Sequence, residues 1–298
     1  MSSSKGFGET IKKFLPAPFT IAVILTFVTF ILGLTLSDSD QTNNFFQIIT
    51  YWEKGLWDNQ LLVFAMQMML MLVLGHSLAL SETLENLIEK ATSLCNSTSI
   101  AAAIITFSTL LVSLFNWGLG LIFGAIFARK VGEYATKNNI KLNYPLIGAA
   151  GYSGLMVWHG GISGSAPIKI AEKGHFLEEK VGVISQSETV FSSMNILISI
   201  LLLIILPLLM YYIGQKTESK KVNIICKKKT LLPKITGAEK LDHSNSLALL
   251  FGSVILLYCI YKAFILPTNF TLSFITPNFI NLSLLGLCII LHKNFYRF

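Results

Sequence analysis

Long apolar runs separated by short charged loops leave this chain little choice of solvent. Stretches near 18–36, 61–80, 99–128, 144–158, 189–213 and 246–266 are mostly Leu, Ile, Val and Phe, and a shorter one follows near 278–291. A helix rises about 1.5 Å per residue, so about 20 such residues cross the roughly 30 Å core of a bilayer. Hydrophobic residues make up 53% of the 298 and charged residues only 13%, against about 25% charged in soluble domains. That much apolar surface cannot be hidden inside a globule of this size. The expected fold class is an all-α integral membrane protein, polytopic, with the lipid bilayer as its first partner.

The net charge of +7 is clustered between the apolar runs, which reads as topology and not as nucleic-acid binding. Cys95, Cys226, Cys259 and Cys288 form no CxxC pair and lie at no metal-ligand spacing from a histidine, so no metal site or disulfide framework is expected. Lys5, Lys12 and Lys13 precede the first run, which is long for a signal peptide and lacks an A-x-A site after it. It reads as a retained span with a cytoplasmic N-terminus in the cytoplasmic (inner) membrane. The loop 37–60 holds Asp38, Asp40, Glu53 and Asp58 and is expected outside; 129–143 and the lysine-rich 214–245 are expected inside.

This orientation makes the run 99–128 start and end on the same side. A re-entrant helical hairpin does that, with a break near Asn116-Trp117-Gly118 and arms of roughly 12–17 residues, each too short to cross. The run 144–158 rises only about 22 Å, which leaves "HGGISGS" (159–165) at membrane depth with three glycines in seven residues. The segment 144–167 is therefore expected to be a broken helix.

Irregular backbone at membrane depth needs a protein wall or a watery cavity. Freed N–H groups at a half-helix favour an anion; carbonyls and hydroxyls favour a cation. A substrate site is expected where the hairpin tip meets the broken helix: Asn116, Trp117, Gly118, His159, Gly160, Gly161, Ser163, Gly164 and Ser165. Each has a plainer role. Asn116 suits a helix cap, Trp117 an interface anchor, Gly118 close packing and His159 an interior hydrogen bond. Ser163 or Ser165 with His159 as base is an acyl-transfer alternative, but no acidic residue nearby would orient the imidazole.

The segments "AMQMMLMLVLGHSLA", "NWGLGLIFGAIFAR", "YPLIGAAGYSGLMVWHGGISGSAP" and "SETVFSSMNILI" resemble the short-chain fatty acid transporter family. The resemblance implies a non-enzymatic secondary transporter (symport) of small monocarboxylates such as acetoacetate or butyrate. It implies two inverted repeats, no cofactor, and a coupling ion, H+ or Na+. On that pattern residues 1–213 are the first repeat, 214–245 a basic cytoplasmic connector, and 246–298 the start of an incomplete second repeat. No second Gly-rich motif like "PSGGGHW" follows residue 246. The chain is therefore expected to lack the C-terminal part. It is read either as one half of a split transporter, with a separately encoded C-terminal half as partner, or as a non-transporting remnant.

Overall fold

A computed structural model describes residues 16–36, 45–224, 237, 239–267 and 272–295. The N-terminal lysines, Asp38, Asp40, Cys226 and the centre of the basic connector lie outside the described residues. Two compact units are distinguished, residues 1–63 and 64–298.

In the first unit, α1 (Pro18–Leu36) is apolar throughout and buries no residue. The helix α2 (Phe45–Leu56) follows in a loop where no element was expected. Its Trp52 meets Phe30 edge-on, with ring centroids 5.9 Å apart. The helix α3 (Asn59–Ala79) begins in this unit and continues into the second.

The second unit continues with α4 (Glu82–Thr92), α5 (Thr98–Phe115), α6 (Trp117–Lys137), β1 (Lys141–Leu142), α7 (Tyr144–Tyr152) and α8 (Ser165–Ile170). Next come α9 (Glu178–Val181), α10 (Ser193–Lys216), β2 (Lys220–Lys221), α11 (Glu239–Asp242), α12 (Asn245–Ile260) and α13 (Pro277–His292). Among the described residues, five helices are long and apolar enough to cross a membrane, the fifth counting α12 with its π-helical extension to Ile265. The helix α10 buries only Ser199 and Gly214 of its 24 residues. A helix apolar all round with almost nothing buried has lipid as its neighbour. The protein is an all-α, multi-pass membrane protein.

Contacts fix the helix directions. Ser113 lies against Gly120 and Thr109 against Gly124, pairs placed symmetrically about the turn at Asn116, so α5 and α6 form an antiparallel hairpin. Gly214 abuts Thr98 and Ser99, while Asn195 reaches Gly160 beside the far end of α5, so α10 runs antiparallel to α5. Helices α3 and α13 run parallel. Gln67 bonds Asn278 (3.0 Å) and Asn281 (2.9 Å), Cys288 Sγ donates to Leu74 O (3.2 Å), and His292 Nε2 donates to Ser77 O (2.8 Å). Polar contacts of this kind hold helices together where both partners are otherwise apolar.

The opposite end of the hairpin is tied by polar groups. The strands β1 and β2 pair antiparallel. Thr98 Oγ1 accepts from Asn143 N–H at 2.9 Å and shares a proton with Ser219 Oγ at 2.8 Å. Lys130 Nζ donates to Glu85 at 2.6 Å and Glu89 at 2.9 Å, which docks α4 onto α6.

Two expectations change. The hairpin arms have 18 and 21 residues, longer than the expected 12–17, because α5 starts at a Ser97 cap and α6 continues through Arg129 to Lys137. The break is Asn116 alone; Trp117 and Gly118 already belong to α6. The broken helix stops earlier than expected, at Tyr152, and continues as two 3-10 turns, Ser153–Met156 and Trp158–Gly160.

Candidate functional site

Asn116 is the one extended residue between two helices, with φ −147° and ψ 121°. Its N–H donates to Val112 O (2.8 Å) and closes α5, while its own carbonyl accepts from Gly120 N–H (2.9 Å) and opens α6. Its side-chain Oδ1 accepts from Leu119 N–H at 2.7 Å, an N-cap. That bond settles which end of the amide is oxygen, so Nδ2 is the other end. Asn116 is fully buried and Nδ2 has no partner among the described residues; neither does the buried indole Nε1 of Trp117.

The glycine-rich loop closes over this tip with one bond to each arm. Ile162 N–H donates to Leu114 O at 2.9 Å, satisfying a carbonyl that α5 leaves open at its end. Trp117 N–H, an open donor at the start of α6, donates to Ser163 Oγ at 3.0 Å. Gly161 makes this possible, since a Cβ there would lie 2.5 Å from Leu114 O. Below the loop, α6 and α7 touch backbone to backbone at Gly124 and Gly151.

The structure thus brings Asn116, Trp117, Gly161 and Ser163 into one hydrogen-bonded cluster. Gly160 joins through Asn195, whose Nδ2 donates to its carbonyl at 2.9 Å and to Val190 O at 2.7 Å. Trp158 packs edge-on against Trp117 with centroids 5.4 Å apart. His159 is exposed and its ring lies 4.6 Å from that of Trp158. Gly164 precedes α8 and Ser165, half-buried, begins it. Gly118 faces away from the loop toward Met71 and Leu72 of α3. The plain cap role of Asn116 is present at Oδ1, and the other end of the amide, Nδ2, is left without a partner among the described residues.

Two features escaped the sequence reading. Asn195 sits in an apolar stretch and gives no local signal. Lys169 is buried within α8 and pairs with Glu172 at 2.8 Å, with its ammonium 5.7 Å from the Phe64 ring. A lysine and a glutamate three residues apart are the available signal for such a pair. Among the described residues no cluster of His, Cys, Asp or Glu is arranged to hold a metal ion.

The sequence pattern of the family described as "Short chain fatty acid transporter" matches residues 3–297. A protein of Escherichia coli (strain K12), named "Putative short-chain fatty acid transporter", is 31% identical over 291 residues, covering 95% of this chain and 62% of that protein. A protein of the same name from Haemophilus influenzae (strain ATCC 51907 / DSM 11121 / KW20 / Rd) is 33% identical over 296 residues, covering 95% and 63%. The chain thus spans less than two thirds of the length of these relatives. No solved structure matches it. With a match over nearly its whole length, the chain belongs to the short chain fatty acid transporter family.

Proposed function

We propose that this chain carries short-chain monocarboxylates such as acetoacetate or butyrate across the cytoplasmic membrane, with the substrate carboxylate held at the hairpin tip. One observation carries the reading: two buried N–H donors, Asn116 Nδ2 and Trp117 Nε1, stand side by side in sequence with no acceptor among the described residues. A buried donor without a partner is costly, and an anion supplies the acceptor. Trp158 and the start of α6 give the carboxylate's short alkyl tail an apolar wall.

Depth supports the same reading. From Trp117 to Ala128 the arm α6 is apolar, and Arg129 and Lys130 follow. Those 12 residues rise about 18 Å, roughly half the bilayer core. With the charged residues at the cytoplasmic interface, the tip of a re-entrant hairpin lies near the midplane, where carriers of this architecture bind. Tyr211, Tyr212 and Lys216 near the end of α10 supply the matching interfacial belt. On this reading an inverted second half, in the same or a separate polypeptide, builds the opposite wall. H+ or Na+ is the coupling ion.

Acyl transfer has little geometric support. Ser163 Oγ faces the Trp117 N–H, whereas His159 is exposed beside Trp158.

The test is uptake of labelled butyrate and acetoacetate into proteoliposomes. Asn116→Ser keeps a capping oxygen, removes the amide donor and adds no charge, so folding is expected to survive while uptake falls by tenfold or more. Uptake by Asn116→Ser equal to that of the unsubstituted chain would remove the tip as the carboxylate site. No carboxylate-dependent flux, even with a second half supplied, would sink the carrier reading.

A further inference from the structure

Just past the tip loop, α8 carries a buried ion pair. Lys169 Nζ donates to Glu172 Oε2 at 2.8 Å, and the Lys169 side chain is 9% exposed against 19% for Glu172. The ammonium also lies 5.7 Å from the centre of the Phe64 ring, a cation–π contact. Phe64 stands five residues, about 8 Å, into the apolar helix α3. Ile168, next to Lys169, belongs to the same core cluster as Leu119 of α6. The pair is therefore held against membrane-crossing helices, where ionisable side chains are costly and serve ion or substrate movement. It also stands close to the tip, for Lys169 is four residues, about 6 Å along α8, from Ser165.

The two members differ in access. Glu172 lines an open-sided cavity of about 760 Å³ between residues 171–187 and 272–276, while Lys169 is buried. Water in the cavity can bring a proton to the carboxylate without reaching the ammonium. Few other charges face the pair. Among the described lining residues Lys173 is the one other charged side chain, and it is exposed. Residues 183–187 and 272–276 carry no charge. The titratable residues of α3 and α13 are His76 and His292, each near the far end of its helix, and α6 has none before Arg129. His175 is buried, with Nε2 donating to Gly182 O (3.0 Å) and Nδ1 accepting from Leu177 N–H (3.2 Å). Glu178 accepts from Gly174 N–H. Among the described residues, then, the charge of Lys169 is balanced by one carboxylate.

We propose that Glu172 carries the coupling proton and that Lys169 turns its protonation into affinity for a carboxylate. This rests on the carboxylate-carrier reading above. With Glu172 ionised the pair is neutral and offers an anion no net attraction. A proton taken by Glu172 from water in the cavity leaves the Lys169 ammonium uncompensated in a low-dielectric setting, resting on the Phe64 ring. A substrate carboxylate at the tip restores neutrality. One proton and one monocarboxylate then cross together with no net charge. When the carboxylate leaves, Glu172 gives up its proton to water and the ion pair closes again. The empty carrier returns in that closed, neutral state.

Transport of labelled acetoacetate by the full chain in proteoliposomes tests it, with rates taken above those of protein-free vesicles. Two modes are compared: net uptake driven by an alkaline interior, and exchange against unlabelled acetoacetate at equal pH. Net uptake needs the empty carrier to return, whereas exchange does not. In Glu172→Gln the empty carrier keeps a lone buried ammonium, so net uptake is expected to fall by about tenfold or more while exchange persists. Glu172→Asp keeps a titratable carboxyl and should recover net uptake. In the unsubstituted chain, net uptake is expected in Na+-free buffer and should not change under a potassium–valinomycin potential. Retention of both modes by Glu172→Gln would overturn the proton role. Loss of both by a Glu172→Gln protein that melts with the unsubstituted chain would also overturn it. A Na+ requirement, or a response to the potential, in the unsubstituted chain would overturn it without any variant and leave the carrier reading standing. Absence of both modes from the unsubstituted chain, even with a second half supplied, would overturn the carrier reading itself.

Discussion

Replacing Gly124 by alanine places a methyl carbon 1.9 Å from the carbonyl oxygen of Gly151, 2.8 Å from that carbonyl's carbon and 2.9 Å from Thr109 Cγ2. Real Cβ atoms essentially never show contacts under 3.0 Å, so α7 must retreat from α6 by more than 1 Å. Thr109 closes the other side, so α6 cannot simply roll away. Overpacking of this kind costs about 1–3 kcal/mol, and a rigid backbone acceptor puts Gly124→Ala at the upper end. Gly148 lies on α7, where an added methyl would meet nothing within 4 Å, and Gly148→Ala is the control. There alanine is expected to gain about 0.5–1 kcal/mol through lower chain entropy. In a Cys226→Ser background, a thiol-reactive dye that reports unfolding through the buried Cys95, Cys259 and Cys288 reads both variants. Burial pushes the Cys95 thiol up to about 12, so the folded protein reacts slowly there. At about 2–4 °C per kcal/mol, Gly124→Ala should melt roughly 5–10 °C lower and Gly148→Ala no lower than the parent. The retreat also carries the 3-10 turns and the loop at 161–163, so on the carrier reading proposed above uptake should fall with stability. Equal melting of the two variants would refute the close α6–α7 crossing.

Ser163→Ala leaves the buried Trp117 N–H without its acceptor and should cost about 1–3 kcal/mol, with Ser163→Thr recovering most of it in the same melting assay. A double-mutant cycle on Lys130→Ala and Glu85→Ala should give a coupling of only about 0.5–1 kcal/mol, because both side chains are partly exposed, and less in 1 M salt. Burial pulls the pKa of Lys130 down, but its hydrogen bonds and charge contacts with Glu85 and Glu89 outweigh this and hold it above the ordinary 10.5. Its stabilisation is therefore fully present below pH 10.5 and lost as pH rises through the higher folded value, so melting curves of the parent and Lys130→Met should converge only at strongly alkaline pH. Gln67→Leu removes the amide that joins α3 to Asn278 and should cost about 0.6–2 kcal/mol, again read by melting.

Helix position was legible wherever lipid dictated it. The first run, expected at 18–36, is α1 at Pro18–Leu36, and the run near 278–291 is α13 at Pro277–His292. The turn at Asn116 was legible too, because a polar residue followed by an indole and two glycines interrupts an apolar run for a reason. The helix α4 was not. It lies between two apolar runs, and only the pairing of Glu85 and Glu89 with Lys130, some 40 residues away, explains the docked helix. The early end of α7 was hidden for a similar reason. Apolar composition continues through Trp158, but Gly154 abuts Ser113, and tertiary contact overrides local propensity. At the site, residue types pointed to donors at the tip, whereas the pairing of Ser163 with one arm and Ile162 with the other needed three dimensions.

The hydroxyl of Thr98 has a mechanical consequence. It binds the start of α7 through Asn143 and the segment after α10 through Ser219, while it stands itself at the foot of α5. Three members joined at one pin make a closed linkage with little freedom at that end, so any swing is amplified with distance from the pin. Over the 18 residues of α5, about 27 Å, a rotation of ~5° displaces the tip by roughly 2 Å. That is enough to break the single bonds from Leu114 and Trp117 to the loop while the foot stays still. A swing about that foot would part the hairpin from the loop at 161–163 before it loosened the base.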